Sequence, residues 1–147
     1  MAFTPKQQNW HIYQDNAAEP TVALAAENTL TVLQNNTDII RIRVTVNNTG
    51  TTAGSNKAIT VQYSTNDSTW VAMGAGNAWN YANGQGASGG TTTTFLTTDA
   101  TTHHHYHEDG LVNESWASGI VGEMDIAVAP TGTVVQDQTY YFQVLQA

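Results

Sequence analysis

From Ile39 to Val46 the chain alternates strictly: Ile40, Ile42, Val44 and Val46 interleave with Arg41, Arg43 and Thr45. A side-chain period of two belongs to extended backbone, so this run predicts a strand with one apolar face and one wet face. Asn47-Asn48-Thr49-Gly50 ends it with turn residues. The same period recurs along the chain. Ile59, Val61 and Tyr63 mark the inner face of a strand from Ala58 to Tyr63, and Asn66-Asp67-Ser68 leads tightly into a strand carrying Trp70, Val71 and Met73. Residues 58–73 therefore read as a hairpin. Met124, Ile126 and Val128 alternate with Glu123, Asp125 and Ala127, a run that closes at Pro130-Thr131-Gly132. Between Thr139 and Leu145, Tyr140, Phe142 and Val144 share one side. Shorter strands are expected at Trp10–Tyr13, Leu30–Leu33 and Ala78–Tyr81, with a threonine-rich one ending at Phe95-Leu96. Only Thr21–Asn28 has a helical composition, and its length gives no more than a short turn. Strands punctuated by turns predict an all-β chain folded as an antiparallel β-sandwich, immunoglobulin-like or a jelly roll.

The 147 residues suit one domain, and 40% hydrophobic content is enough for a core. Residues 9–147 are assigned to that domain. Residues 1–8 are polar apart from the isolated Phe3 and Pro5, and are expected to form a flexible arm that orders on a neighbouring subunit with Phe3 as its anchor. The glycine-rich stretch from Asn83 to Gly90 is too short for an interdomain linker.

Charge excludes several partners. Net charge is −8, and Lys6, Arg41, Arg43 and Lys57 are the only Lys or Arg residues. No basic stripe exists to displace phosphate counterions or hold anionic lipid, so neither nucleic acid nor a membrane surface is expected as partner. The chain has no cysteine, which rules out disulfides, thiolate metal sites and a cysteine nucleophile. Its first residues lack an apolar signal core, and no run has the length of a membrane span, so synthesis in the cytoplasm without export is expected. Outward strand positions carry Thr, Asn, Gln and Ser in place of charge, a surface suited to lying against other protein, copies of itself included.

Several segments together resemble a known type of module. They are Leu24-Ala25-Ala26-Glu27-Asn28-Thr29, Ile40-Arg41-Ile42-Arg43 running into Asn47-Asn48-Thr49-Gly50, Gln62-Tyr63-Ser64 before Trp70, Gly122-Glu123-Met124-Asp125-Ile126, and Thr139-Tyr140-Tyr141-Phe142. Their order and spacing resemble an immunoglobulin-like β-sandwich module of large prokaryotic surface proteins and phage structural proteins. The resemblance spans nearly the whole chain and implies a non-enzymatic building block. Two departures stand out: such modules usually occur in tandem, and a basic residue tends to follow the Tyr-Tyr-Phe where this chain has Gln143.

The run His103-His104-His105-Tyr106-His107 is the sharpest chemical signal. On an extended chain His103, His105 and His107 share a face at about 6.5–7 Å spacing, with Glu108 and Asp109 beside them. Imidazole and carboxylate are ligands for a divalent transition metal. That spacing is too wide for one ion unless the strand bends or three chains each give one histidine at a subunit interface. The plain alternative is an exposed polar loop; a contact that loosens near pH 5.5 is another. Glu108 with Glu114, or Glu123 with Asp125, are carboxylate pairs of the type glycosidases use, but the second pair is expected on a solvent face. Trp79 and Tyr81, beside the glycine-rich stretch, are candidates for stacking on a sugar, whereas Trp10, Trp70 and Trp116 are assigned to the core. No Gly-x-Ser-x-Gly elbow and no phosphate-binding loop is present.

The expectation is therefore a structural assembly protein with no cofactor beyond that metal. Its most concrete form is a phage virion component such as a capsid decoration protein, made in the host cytoplasm, with copies of itself and a major capsid or other virion protein as partners. The alternatives are a subunit of an extracellular filament and a carbohydrate or cell-surface binding module.

Overall fold

The computed structural model describes residues 2–33, 35–108 and 112–146. Among these residues nine strands make two sheets: β1 (Pro5–Gln14), β2 (Ile40–Asn48), β3 (Gly54–Ser64), β4 (Val71–Ala72), β5 (Trp79–Tyr81), β6 (Thr102–His107), β7 (Val112–Trp116), β8 (Val121–Pro130) and β9 (Tyr141–Gln146). The protein is an all-β sandwich, and no helix occurs among the described residues. In the larger sheet the order is β1-β2-β8-β5. The second edge of β8 is shared, with β5 antiparallel beside residues 128–130 and β6 parallel beside residues 122–126. In the smaller sheet β3 is central, with β9 along one edge and β4 and β7 dividing the other.

Alternation decides which face of each strand meets the core. Ile40, Ile42, Val44 and Val46 of β2 lie opposite Val128, Ile126, Met124 and Gly122 of β8. Together with Ile12 they face Ile59, Val61 and Tyr63 of β3, and the cluster closes over Trp79 and Trp116. Full burial of each large apolar side chain contributes about 1.5–3 kcal/mol. Tyr140, Phe142 and Val144 pack on this core from the β9 side, as their spacing predicts. The 58–73 hairpin is present too, with Gln62 opposite Ala72 and Tyr63 opposite Val71.

Several expectations need correcting. The second face of the β2–β8 pair is not wet: Arg41, Arg43, Thr45, Glu123 and Asp125 are all 0% exposed. Segments from the 15–28 and 83–106 regions cover them. The threonine-rich segment ending at Leu96 is not a strand of a sheet. Its amides bond to carboxylates instead: Thr93 N–H to Glu19 Oε1 at 2.8 Å, Leu96 and Thr97 N–H to Glu123 Oε2 at 2.9 and 2.7 Å, and Thr98 N–H to Glu27 Oε2 at 3.1 Å. Leu30–Leu33 keeps its alternation but gains no partner strand among the described residues.

Residues 1–8 are also not a free arm as far as they are described. Pro5, Lys6 and Gln7 pair with Asn48, Asn47 and Val46 at the start of β1. The Phe3 ring packs 5.8 Å from that of Trp116, so its anchor lies within the same domain. Gly54 makes room for it, because a Cβ there would stand 2.5 Å from the Phe3 ring.

Candidate functional site

The histidine run forms β6, and one extra residue in it sets the site. His103 lies opposite Glu123 and Tyr106 opposite Asp125, so three steps along β6 match two along β8. Such a bulge reverses which side chains turn inward. His103, His105 and His107 consequently do not share a face. The His103 ring stacks flat on Phe95, with centroids 3.8 Å apart and planes 3° from parallel, away from the others.

The remaining three histidines converge on Glu114 of β7, which is 2% exposed. Glu114 Oε2 accepts from His104 Nδ1 at 2.8 Å. Oε1 accepts from His105 Nδ1 at 2.8 Å, the His105 backbone N–H at 2.9 Å and His107 Nε2 at 3.1 Å. Burial alone would raise the Glu114 carboxyl, but these bonds from His104, His107 and the His105 amide outweigh it and hold the group well below the usual carboxylate range. His104 is wedged between this carboxylate, the Trp116 ring at 4.5 Å and the bare Cα of Gly122. A Cβ at position 122 would stand 2.0 Å from the His104 ring, which explains a glycine in mid-strand. Glu108 is engaged elsewhere, accepting from the Tyr106 hydroxyl and the Gly84 amide at 2.9 and 3.0 Å. Asp109 lies outside the described residues.

Beside this cluster the covered face of the larger sheet holds a buried ionic network. Arg41 Nε and Nη2 donate to the two oxygens of Asp125 at 2.9 and 2.6 Å, and Arg43 Nε donates to Asp125 Oδ2 at 2.8 Å. Arg43 also reaches Glu123 at 2.7 Å and Glu19 at 2.5 Å, while Arg41 reaches Asp15 at 3.0 Å. Burial pushes the Asp125 carboxyl above its ordinary value, and the guanidinium groups of Arg43 and Arg41 offset that only in part. Burial likewise disfavours the arginine charges, and their carboxylate partners more than restore them, raising both. This network ties β2 and β8 to the 15–19 and 93–97 segments.

The carboxylate pairs considered for hydrolysis are accounted for here. Glu123 and Asp125 are locked to arginines, and Glu114 sits among histidines while Glu108 bonds elsewhere. Trp79 is corrected as well: it is 3% exposed, edge-on to Phe142 at 4.9 Å and to Tyr140 at 5.8 Å, and offers no face to a sugar. Tyr81 is half-buried and its hydroxyl accepts from the Val61 amide at 2.9 Å, joining the two sheets. Trp70 is half-buried outside the core cluster, whereas Trp116 and Trp10 belong to the core and its margin.

A third feature had no sequence counterpart. Between β1 and β9 the sandwich opens into a cleft of about 900 Å³ that reaches core residues such as Ile42 and Val61. Around it Leu30, Val32 and Val135 are 71%, 79% and 62% exposed, while Thr31 and Leu33 turn inward. Thr31 Oγ1 is buried without a hydrogen-bond partner among the described residues. Comparison with protein-family models, with curated proteins and with solved structures returns no match for this chain.

Proposed function

We propose that the chain is a non-enzymatic structural assembly protein, most concretely a phage virion component of the capsid-decoration kind, and that it docks other protein chains along the open seam between β1 and β9. The observation that carries this reading is the inverted pattern of residues 30–33. Leu30 and Val32 face solvent while the Thr31 hydroxyl is buried with no hydrogen-bond partner among the described residues. A domain that works alone gains by turning those apolar side chains inward, so the pattern favours a face that another chain covers. The exterior is also poor in cations. Of the four Lys and Arg residues, the two arginines lie wholly inside. Such a surface suits packing against protein and not against phosphate.

The test is light scattering after size exclusion on the wild type and on Val32→Glu with Val135→Glu. A wild-type closed oligomer that the double variant reduces to monomer supports the decoration reading. Open-ended polymers would favour a filament subunit, the alternative consistent with β9 as an edge strand. A wild-type monomer, unchanged by the substitutions, that gains tryptophan fluorescence changes with polysaccharide would overturn both in favour of a glycan-binding module.

A further inference from the structure

We propose that His105, His107 and Glu114 form a site for a divalent transition-metal ion, complete within one chain, with His104 as the outer residue that orients the carboxylate. His105, His107 and Glu114 each offer one ligand atom, and these three atoms lie within 4.8 Å of one another. Two imidazoles and one carboxylate are a ligand set that zinc accepts with a fourth position left for water.

The distances fit the replacement of these hydrogen bonds by bonds to an ion. Zinc bonds of 2.0–2.1 Å in a tetrahedron separate neighbouring ligand atoms by about 3.3 Å. In the hydrogen-bonded arrangement Oε1 is 2.8 Å from His105 Nδ1 and 3.1 Å from His107 Nε2. Opening these two contacts by a few tenths of an ångström, and drawing the two imidazole nitrogens to the same spacing by side-chain rotation, admits the ion. Each ligating nitrogen then gives up its proton and the ring carries it on its other nitrogen. Glu114 Oε2 stays bonded to His104 Nδ1, which fixes the carboxylate as outer hydrogen bonds do at metal centres.

Burial and charge favour a cation here. Glu114 is 2% exposed and no Lys or Arg contacts it among the described residues. The side chain of His105 is 39% exposed, which gives an ion a way in and water a place at the fourth position. His103 is excluded by its stacking on Phe95. It therefore serves as an internal control of the same residue type, two positions from a ligand.

The experiment is native mass spectrometry and thermal melting of tag-free, chelator-treated protein titrated with zinc chloride, with magnesium for comparison. The expected result is one zinc per chain, a melting temperature raised by zinc and not by magnesium, and the same behaviour for His103→Ala. His105→Ala, on the accessible side of the cluster, is expected to keep the fold and lose at least tenfold in zinc affinity. Glu114→Gln is expected to lose zinc as well, and circular dichroism at low temperature shows whether it still folds. The proposal is overturned if folded wild type binds no stoichiometric zinc. It is equally overturned if His103→Ala weakens binding as much as His105→Ala, since that pattern marks loose surface histidines.

Discussion

Replacing Asp125 by Asn tests whether the covered face of the larger sheet holds the fold together. Asp125 accepts three charge-assisted bonds of 2.6–2.9 Å from two guanidinium groups, and neither it nor the arginines touch solvent. Asn keeps the shape and one acceptor, but turns an amide N–H₂ toward a cation. Breaking a buried pair from one side costs about 3–5 kcal/mol. The lower end applies, because Arg41 retains Asp15 and Arg43 retains Glu123 and Glu19. With a urea slope of about 2 kcal/mol/M, a loss of about 3 kcal/mol lowers the unfolding midpoint by about 1.5 M. Urea titration followed by tryptophan fluorescence reads this directly, with Asp137→Asn, an exposed acid, as the control. A midpoint shift below about 0.3 M, the range of exposed ion pairs, would refute the claim that this network is dry and structural.

Three further outcomes follow from the same packing. Gly122→Ala forces a methyl into the His104 ring and is expected to cost about 1–3 kcal/mol in urea unfolding while loosening the histidine cluster, visible as shifted imidazole resonances. Glu19 titrates below its unfolded value of 4.5: burial raises it, but the Thr93 amide and Arg43 more than offset that. Its folded value being depressed, the stability it adds is present above about pH 4.5 and lost as pH falls through the folded value, so the urea midpoints of wild type and Glu19→Gln should differ at pH 7 and draw together in acid. Deleting residues 1–8 removes Phe3 from Trp116 and the Pro5–Gln7 pairing with β2, so the melting temperature should fall by several degrees, as a loss of about 2 kcal/mol implies. An unchanged melting temperature would show that the segment is an arm after all.

The strands legible in the sequence are those whose inner positions are apolar. The alternating runs expected at 39–46, 58–63, 124–128 and 139–145 fall within or overlap β2, β3, β8 and β9, because a period of two can bury one apolar face only as a strand. β7 escaped notice for the complementary reason. Its middle residues are Asn113, Glu114 and Ser115, and the inward one packs against imidazoles and not against aliphatic carbon. The threonine-rich segment carries β-forming residues yet stays off the sheet, since carboxylates remote in sequence satisfy its amides. Local propensity contains no term for such partners.

The site was half legible for the same physical reason. Composition and spacing single out the histidine run, but which histidines converge depends on the bulge opposite residues 123–125, a property of strand pairing. A three-residue match to two on β8 exchanges His103 for His104 and brings in Glu114 from the next strand. One signal of the ionic layer was available in retrospect. The only two arginines of the chain stand two apart on one strand, and Glu123 and Asp125 stand two apart on another, with Arg43 directly opposite Asp125. Matching charged pairs at strand period, in a chain otherwise poor in cations, mark a face that a further layer covers. The interior thus takes both arginines and leaves Lys6 and Lys57 as the remaining Lys and Arg residues. At the seam between β1 and β9 Leu30, Val32 and Val135 stand exposed, the apolar patch on which the proposed docking of a second chain rests.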